Sequence, residues 1–461
     1  MLKNLIRDSV CSKYSNVTYC CFRNFYQKMQ NQEYRNPDAN NFVRTSFNEE
    51  DNSNVKRDVL KNLRKWMPID QTSKPGFIFT IFNYNILSQQ LLESHSYLYQ
   101  DSPRAALKWN NRLYNIVGEI FKTNPSILCC QEVQWNHLSQ IQNRLNCMNY
   151  GVLFKKRTGD KCDGCAIFYK KDLFQLIEEH NVEFMQPGVE LLNRENVAII
   201  AKLCLKSDPS IQFLVATTHL LYNPRREDVR LAQIQILLAE LDRHAQIVDS
   251  NGQKTYMPVI LTGDFNLKPY SAPYTFLTNG VLNYANLSSR SLVQFNKGSP
   301  TNQANGRRLL PIKLGITDNC QHVSEIKLYH SEQNRIAHNG CEDVELTKET
   351  VNHFQTGTLR HSFDFKSVYH NNGYDFNYVS TYQDQWILVD YIFYSSANKS
   401  NNVNLQLLNY LSLPTSDECD RLKLRIPNPL LGSDHLSLAA QFKLYSNENN
   451  NGSSVANMTK L

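Results

Sequence analysis

Residues 259 to 269 read "VILTGDFNLKP", and the short apolar run in this stretch stops at Asp264 and Asn266. Residues 259 to 261 have the composition of a buried strand, and a glycine and a proline bracket the turn that follows. A carboxylate and a carboxamide therefore lie where a strand meets a loop. A single polar residue at a strand end is usually just solvated, so the meaning of this one depends on the other strands.

Three further apolar stretches end on polar residues in the same way. "FIFTIFNYN" ends at Asn85, "SILCCQE" ends at Glu132 and "IQFLVATTH" ends at His219. Strand ends that share one edge of a sheet bring such side chains together. We therefore expect these residues to form one site with the Asp264 turn. Each also has an ordinary alternative: a solvated carboxylate, an amide that caps a turn, or a hydrogen-bonded core histidine.

Two later stretches place charged groups in apolar surroundings. In "WILVDYIFYS", Asp390 lies inside an apolar run, where an unpaired carboxylate is costly. "LLGSDHLSLAAQF" offers a partner, because Asp434 and His435 precede the next apolar strand. A carboxylate behind an imidazole fixes its tautomer and supports its charged form. The alternative for Asp390 is a carboxylate that caps the backbone.

Oxygen ligands at Glu132, Asp264 and Asp434 suit Mg²⁺ or Mn²⁺ rather than zinc, and such sites normally act on phosphate.

Composition restricts the class of protein only loosely. The chain has 461 residues, 41% hydrophobic residues and a net charge of +6, which permits a large α/β domain and a polyanionic partner. The twelve cysteines show no disulfide framework, so we expect reduced thiols and a cytoplasmic or nuclear location, with mitochondria as the alternative. "CDGC" at Cys162 and Cys165 lacks a second pair at zinc-finger spacing. No stretch approaches the ~20 apolar residues of a membrane span, so we expect no membrane partner.

Periodicity predicts a layered α/β domain with its sheets buried under helices. We expect a largely flexible N-terminal extension at 1–68, a catalytic domain at 69–446 with a polar surface insertion at about 288–358, and a disordered tail at 447–461. One helix is predicted to begin at Ser102 and Pro103, and another to run from Arg225 to about Val248 with one apolar stripe. After the stretch that ends at Asn85, further strands are predicted at 126–131, 164–169, 197–204, 211–218, 386–394 and 436–442.

The ordered series "YNIL", "LCCQEV", "THLLYNPRR", "LTGDFN", "VDYIFYS" and "SDHLSL" resembles the endonuclease/exonuclease/phosphatase superfamily across roughly residues 77 to 444. The resemblance implies a deoxyribonuclease I-like fold, a four-layered α/β sandwich of two packed mixed sheets flanked by helices. Within this superfamily, "FNYNILSQQLLESHSYLY", "RTGDKCDGCAIFYKK" and "THLLYNPRREDVRLAQIQILLAEL" are similar to the Angel group, which is related to nocturnin and to the carbon-catabolite-repression deadenylases.

The resemblance implies a role for each residue that matches a motif. Glu132 would be the principal Mg²⁺ ligand, with Asn85 and Asp434 completing or supporting the metal site. Asp264 would orient and deprotonate the attacking water. The remaining motif residues would handle the phosphate: Asn266 and His219 would each hold a phosphate oxygen, and His435, backed by Asp390, would stabilise its developing charge. In-line attack of water on phosphorus, without a covalent intermediate, is the implied chemistry.

The Angel resemblance implies RNA 3′ ends as the substrate. We favour removal of a 2′,3′-cyclic phosphate to leave hydroxyls, with 3′ to 5′ trimming of poly(A) as the first alternative. The sequence does not separate the two reactions, because both need the same metal and water. An RNA-binding or translation-associated scaffold and a DNA repair nuclease are further alternatives. The sequence identifies no protein partner.

Three residues to which the resemblance assigns no catalytic or metal role are candidates for substrate binding. Arg225 and Arg226 open the helix after the His219 loop and could meet RNA phosphates, or they could form a solvated first turn with the acidic residues that follow. Tyr270, just beyond the Asp264 loop, could stack on a base, although tyrosines in such positions more often belong to the core.

Overall fold

The computed structural model describes residues 63–69, 75–248, 254–294, 308–325, 353–369, 377–396 and 403–446. The predicted tail at 447–461 and residues 1–62 of the predicted extension lie outside this part of the chain. Within it, strands and helices are numbered in chain order. Trp66–Pro68, which we predicted to belong to the extension, form an edge strand.

The described residues form two large mixed sheets. The first has seven strands, in the spatial order β1 (Trp66–Pro68), β18 (Val403–Leu411), β19 (Leu438–Ser446), β2 (Phe77–Asn85), β3 (Ile127–Gln134), β5 (Asp163–Lys170) and β4 (Tyr150–Lys156). The second has six strands, in the order β14 (Phe365–Ser367), β17 (Asp390–Ser395), β11 (Val259–Asp264), β8 (Gln212–His219), β7 (Val197–Leu205) and β6 (Phe174–Glu183).

Shorter strand pairs and helices complete the described fold. The strand pairs are β9 (Gln246–Val248) with β10 (Lys254–Tyr256), β12 (Val281–Asn283) with β13 (Thr358–Arg360), and β15 (Thr381–Gln383) with β16 (Gln385–Ile387). The helices are α1 (Gln89–Ser94), α2 (Trp109–Thr123), α3 (Leu138–Leu145), α4 (Glu227–Ala245), α5 (Ala272–Asn279) and α6 (Ser416–Arg421).

Side-chain alternation along β2 shows how the layers stack. Phe79 points into the core between the two sheets, where its ring centroid lies 5.5 Å from that of Phe213 on β8. Phe82 points to the opposite face and packs with Ile116 of α2 and Ile141 of α3. Helices α4 and α5 cover the second sheet on its other side. The result is the predicted four-layered α/β sandwich.

The helix predicted to begin at Ser102 begins later, at Trp109. Residues 103 to 108 form tight turns instead, with hydrogen bonds from Ala106 N to Pro103 O and from Lys108 N to Ala105 O. Lys108 is extended, with ψ at 133°, so the turns cannot continue into the helix. The prediction placed the start wrongly because Ser102 and Pro103 also favour a turn.

The strand predicted at 386–394 is two strands, β16 and β17, separated at Leu388 and Val389. The hydroxyl of Ser380 accepts hydrogen bonds from the backbone N–H groups of Val389 and Asp390, at 3.2 and 3.3 Å. This side-chain acceptor replaces a neighbouring strand at the break. The continuous apolar run did not predict the interruption, because the acceptor lies outside the run.

Helix α4 is buried on nearly all sides rather than along one stripe. Part of the predicted polar insertion covers it: Gln235 Nε2 donates to Thr317 O at 3.0 Å, and Ile316 and Cys320 are buried in the core. The described segments of that insertion therefore contribute to packing, which their polar composition did not predict.

Candidate active site

Strand register brings three of the predicted residues to one sheet edge. Asp264, the last residue of β11, is paired with His219 on the parallel strand β8 and with Asp390 on the antiparallel strand β17. Gly263 makes this pairing feasible, since a Cβ at that position would lie 2.1 Å from Thr218 O. The second sheet thus delivers two carboxylates and an imidazole side by side.

The first sheet delivers Asn85 and Glu132. Asn85 ends β2, and Glu132 lies in a bulge of β3, where the register to β5 shifts between Cys130 and Val133. Glu132 adopts a positive φ of 55°, which is uncommon for a residue other than glycine. Bulges redirect side chains next to active sites. Here the bulge lies at Glu132, whose carboxylate faces the residues of the second sheet.

Asn85 links Glu132 of the first sheet to Asp264 of the second sheet by hydrogen bonds. Its Nδ2 donates to Glu132 Oε1 and to Asp264 Oδ2, both at 3.0 Å, while its Oδ1 accepts from Leu87 N at 3.0 Å. Glu132 Oε2 also accepts from Ser88 N at 3.1 Å. Because the oxygen of Asn85 is already engaged, this arrangement favours a supporting role for Asn85 over direct metal ligation.

His435 is held as a buried cation. Its Nδ1 lies 2.7 Å from Asp390 Oδ2, and its Nε2 points to Asp264 Oδ2 at 3.7 Å. Burial opposes the positive charge, but the Asp390 carboxylate outweighs it and raises the pKa of His435 well above its usual value. The predicted pairing of Asp390 with His435 is therefore present in the structure.

His219 has the opposite electrostatic character. Its Nε2 lies 3.5 Å from Asp264 Oδ2. Burial, with the charges of Arg157 and His435, lowers the pKa of His219 well below its usual value. Two histidines on either side of one carboxylate thus hold different protonation states, one neutral and one charged.

The buried carboxylates of the site repel one another, and burial together with this repulsion raises the pKa of two of them. Burial, followed by the charge of Asp434 and that of Asp163, raises the pKa of Glu132 to about 7. Burial, followed by the charge of Asp390, raises the pKa of Asp264 to about 8. A bound divalent cation would relieve this repulsion, and the oxygen-rich donor set is the kind that hard cations prefer. The residues present therefore fit a divalent metal.

Asp434 is anchored by residues that the sequence reasoning missed. Tyr99 Oη donates to Asp434 Oδ2 at 2.7 Å, and Thr381 Oγ1 donates to Asp434 O at 2.7 Å. Ser433 Oγ donates to Asn85 O at 2.6 Å and accepts from His435 N at 3.2 Å. No local pattern marks these residues. Tyr99 and Ser433 do lie inside the quoted motif stretches, and that was the available signal.

Arg112 is a fully buried cation beneath the site that also went unpredicted. It donates to the carbonyl oxygens of Ile86, Leu87 and Gly432, and its Nη1 donates to Gln89 Oε1 at 2.9 Å. It therefore ties the loop after Asn85 to the loop before Asp434. Its position on α2 looks like an ordinary helix arginine in the sequence.

Asn266 follows Asp264 in a tight turn. It has a positive φ of 52°, and its backbone N–H donates to Asp264 Oδ1 at 3.0 Å. Its side-chain Nδ2 donates to Leu220 O at 3.1 Å, next to His219. The structure thus brings Asn266 into the same cluster as the other predicted motif residues.

The three predicted substrate-binding residues differ in position. Arg226 forms a two-pronged pair with Asp228, at 2.8 and 3.0 Å, but Asp228 is buried, so this pair is not the solvated turn of the alternative. Arg225 is exposed. Tyr270 is 70% exposed, so it is not a core residue, and its ring contacts the buried Tyr274 in a T-shaped geometry.

Two further exposed tyrosines lie near the acidic cluster and were missed. Tyr97 and Tyr222 are 63% and 58% exposed. Burial raises the pKa of Tyr222, and so do the charges of Asp384, Tyr97, Asp264 and Asp434. Tyr222 is therefore within electrostatic reach of the site and of Tyr97. These two tyrosines form what we call the aromatic rim.

Along the described segments of the chain, no helix combines the length and apolar character that crossing a bilayer requires. No disulfide joins the cysteines of the described residues.

Comparison with known proteins agrees with this geometry. The model of the Endonuclease/Exonuclease/phosphatase family matches residues 82–435. Protein angel homolog 2 of Homo sapiens is 36% identical over 405 residues, which cover 82% of this chain and 71% of that protein. The Danio rerio homolog is 35% identical over 391 residues, and these cover 80% of this chain and 65% of its own length. The chain thus spans about two thirds of the length of these relatives.

Among solved structures, that of ANGEL2 in complex with adenosine-2′,3′-vanadate, described as a 2′,3′-cyclic phosphatase, superposes with a TM-score of 0.67. It is 35% identical, and the match covers 83% of this chain and 98% of that one. The order of the strand-end motifs, their convergence in space and these similarities lead to one assignment. The chain belongs to the endonuclease/exonuclease/phosphatase family and, within it, is an Angel-like protein.

Proposed function

We propose that this chain is a Mg²⁺-dependent hydrolase of RNA 3′ ends that removes a terminal 2′,3′-cyclic phosphate and leaves two hydroxyls. The observation that carries the proposal is the convergence of Glu132 and Asp264 with the charged His435–Asp390 pair. The similarity to ANGEL2, described as a 2′,3′-cyclic phosphatase, selects the phosphoester.

Members of this family are in general divalent-metal dependent. In this chain Glu132 would hold the ion directly, with Asp434 as a second carboxylate and Asn85 supporting Glu132. When bound, Mg²⁺ would neutralise negative charge that spreads over the phosphate oxygens. Ser88 N–H and Tyr99 Oη orient the two carboxylates from behind.

Asp264 is the proposed general base. Its Oδ2 lies between Asn85, His219 and His435, and its Oδ1 is fixed by Asn266 N–H. Without metal, burial and the charge of Asp390 raise the pKa of Asp264, and a bound cation would lower it and so favour the ionised carboxylate that a general base needs. Asp264 would orient a water molecule for in-line attack on phosphorus and take its proton.

The two histidines and Asn266 would hold the phosphate. The positive charge of His435, maintained by Asp390, would stabilise the charge that develops on the phosphate oxygens. Neutral His219 would donate a hydrogen bond from Nε2, and the second Nδ2 hydrogen of Asn266 would donate another. Among the described residues of the cluster, no cysteine or serine is placed as a nucleophile, so in this proposal water would attack phosphorus directly.

Complete removal of a cyclic phosphate consumes two water molecules. The first opens the five-membered ring, breaks one P–O bond and leaves a phosphomonoester on one ribose oxygen. The second breaks the remaining ester bond, so that inorganic phosphate leaves and both ribose oxygens end as hydroxyls. The aromatic rim, with Arg225 and Tyr270, would contact the terminal nucleotides.

The test compares two end-labelled RNAs, one with a 2′,3′-cyclic phosphate and one with a poly(A) tail and a free 3′ hydroxyl. Each is incubated in Mg²⁺ with the wild-type chain, Asp264→Ala, Glu132→Ala and the control Asp364→Ala. Asp364 is an exposed carboxylate at the opposite end of the second sheet. We expect phosphate release without shortening, lost in the two site variants and kept in the control.

Stepwise shortening of the tail without phosphate release would identify a deadenylase and overturn the proposed reaction. Activity on neither RNA would favour a scaffold. In that case Glu132→Ala would leave the cellular role of the protein unchanged, whereas an enzymatic role requires that it be lost.

A further inference from the structure

A second cluster of metal-binding side chains lies outside the candidate active site. It consists of His180 on β6, Glu240 and His244 on α4, and His322, and we call it the histidine cluster. Strand β6 is the edge of the second sheet. Along α4, Arg230 binds the loop after His219, and Glu240 lies ten residues further on, which corresponds to about 15 Å of helix. The histidine cluster is therefore separate from the catalytic residues.

The ligand atoms of the histidine cluster are close enough to share one ion. Glu240 Oε2 lies 3.1 Å from His180 Nε2 and 3.9 Å from His244 Nε2, and one ligand atom from each residue falls within 4.8 Å of the others. Glu240 and His244 are four residues apart, so they project from the same face of the helix. His180 approaches from the neighbouring strand.

One of these ligand atoms lacks a hydrogen-bond partner among the described residues. His244 Nε2 is buried and makes no hydrogen bond among the described residues, whereas Glu240 Oε2 already faces His180 Nε2 at 3.1 Å and Arg243 Nη1 at 3.6 Å. Buried polar atoms of this kind call for an ion or a water molecule as a partner. The histidine cluster therefore contains a buried imidazole nitrogen without a hydrogen bond, 3.9 Å from a carboxylate oxygen that a second histidine also faces.

The surrounding groups have the arrangement found around bound metals. His244 Nδ1 faces Glu178 Oε2 at 3.6 Å, which leaves Nε2 directed at Glu240. His322 Nε2 lies 2.8 Å from the other Glu240 oxygen, Oε1. Metal-bound histidines usually donate their second ring nitrogen to a carboxylate, and metal-bound carboxylates are themselves hydrogen-bonded.

We propose that His180, Glu240 and His244 bind a zinc-class divalent cation, with Glu178 and His322 orienting the ligands. Two imidazoles and one carboxylate suit Zn²⁺, whereas the oxygen-rich active site suits Mg²⁺. The ion would link the edge strand β6 to α4, and the hydrogen bond of His322 to Glu240 would connect the covering loop to the same site. Arg243 Nη1, 3.6 Å from Glu240 Oε2, is the competing positive charge.

The experiment measures Zn²⁺ binding by isothermal titration calorimetry to the metal-stripped full chain in excess Mg²⁺, which occupies the active site. We expect one saturable Zn²⁺ site in the wild type. His180→Gln and His244→Gln should each weaken binding by at least about 100-fold, and Glu178→Gln by about 10- to 100-fold. Arg243→Gln should strengthen binding, because it removes the competing charge.

Two controls separate this site from other metal sites. Glu132→Ala removes the main active-site carboxylate, and His95→Gln removes a histidine that lies elsewhere and contacts Leu91 O. Both should bind Zn²⁺ as the wild type does. Zinc should also raise the melting temperature of the wild type and of Glu132→Ala, but not that of His244→Gln.

A Zn²⁺ site that disappears in Glu132→Ala and persists in His244→Gln would overturn the proposal, as would no saturable binding. An equal loss of stability in His244→Gln with and without Zn²⁺ would also overturn it, because the cluster would then act through its own hydrogen bonds alone.

Discussion

Asp390 Oδ2 lies 2.7 Å from His435 Nδ1, and both side chains are buried. The two residues come from different sheets, since Asp390 begins β17 and His435 precedes β19. Asp390 thereby keeps His435 positively charged beside Asp264, the residue that would activate the attacking water.

Asp390→Asn should lower kcat by about 10²- to 10³-fold, because His435 loses the carboxylate that supports its charge. Activity that needs charged His435 is lost as pH rises through its pKa, so the alkaline limb of the pH–kcat profile should move to lower pH. The measurement is phosphate release from cyclic-phosphate RNA over a range of pH. Ser380→Ala is the matched control: it removes a hydroxyl bonded to the Asp390 backbone but keeps the carboxylate, and its alkaline limb should not move.

Tyr99→Phe should weaken activation by Mg²⁺ by about 10- to 100-fold, because Asp434 loses the phenol that orients it. The fold should survive, since the ring remains in place. Phosphate release measured against Mg²⁺ concentration would show the half-saturation point rising while the maximal rate changes little. An unchanged half-saturation point would exclude Asp434 from the metal site.

Glu132→Gln should stabilise the chain at high pH when EDTA removes metal. Between its ordinary value of 4.5 and about 7, the carboxyl of Glu132 is protonated in the folded state but ionised in the unfolded state. The stability of the wild type therefore falls as pH rises through this window. The stability of Glu132→Gln does not fall for this reason, because glutamine does not ionise. Above pH 7 the gain should be on the order of 1 to 3 kcal/mol in urea unfolding.

The same comparison at pH 4 should show little difference, since Glu132 is then protonated in both states. Saturating Mg²⁺ should stabilise the wild type more than the variant. A stability difference that does not change with pH would show that Glu132 does not carry the shifted pKa.

Tyr222→Ala should raise KM for short cyclic-phosphate RNA by about 5- to 100-fold, as expected for loss of one aromatic stacking contact. Tyr222→Phe keeps the ring and should retain most of the affinity, whereas kcat should change little in either variant. Equal loss in both variants would point to the hydroxyl rather than to stacking.

Arg225→Ala and Arg226→Ala should behave differently although they are adjacent. Arg225 is exposed, so its loss should raise KM and reduce the salt dependence of KM. Arg226 is engaged by the buried Asp228, so its loss should leave KM nearly unchanged but cost about 1 to 3 kcal/mol of stability, because a buried carboxylate loses its partner. A larger KM effect at Arg226 would show that the ion pair opens to bind RNA.

The sequence was informative about this site because its main residues lie at strand ends. Asn85, Glu132, His219 and Asp264 each terminate an apolar run or lie just before its end. The first two belong to one sheet and the last two to the other, and they meet because these strand ends lie on the same side of the two packed sheets, which the single shared edge we predicted did not describe. The apolar environment of Asp390 likewise implied a buried partner, and His435 lies there.

The supporting contacts were not predictable in the same way. Tyr99 and Asp434 are separated by 335 residues, and Arg112 and Gly432 by 320. Such contacts depend on how the two sheets and α2 pack, and a single sequence carries no pattern for them. The break before Asp390 was missed for a related reason, because Ser380 outside the apolar run supplies its hydrogen bonds.

The order of strands in the first sheet has a consequence for biosynthesis. β2 and β3 are made early, but β19, which pairs with β2, and β18, which pairs with β19, are near the end of the described chain, and the whole second sheet is synthesised in between. Asp434 and His435 emerge from the ribosome after every other residue of the proposed catalytic set. A nascent or prematurely terminated chain therefore lacks both residues, so hydrolytic competence has to await translation of the final strand.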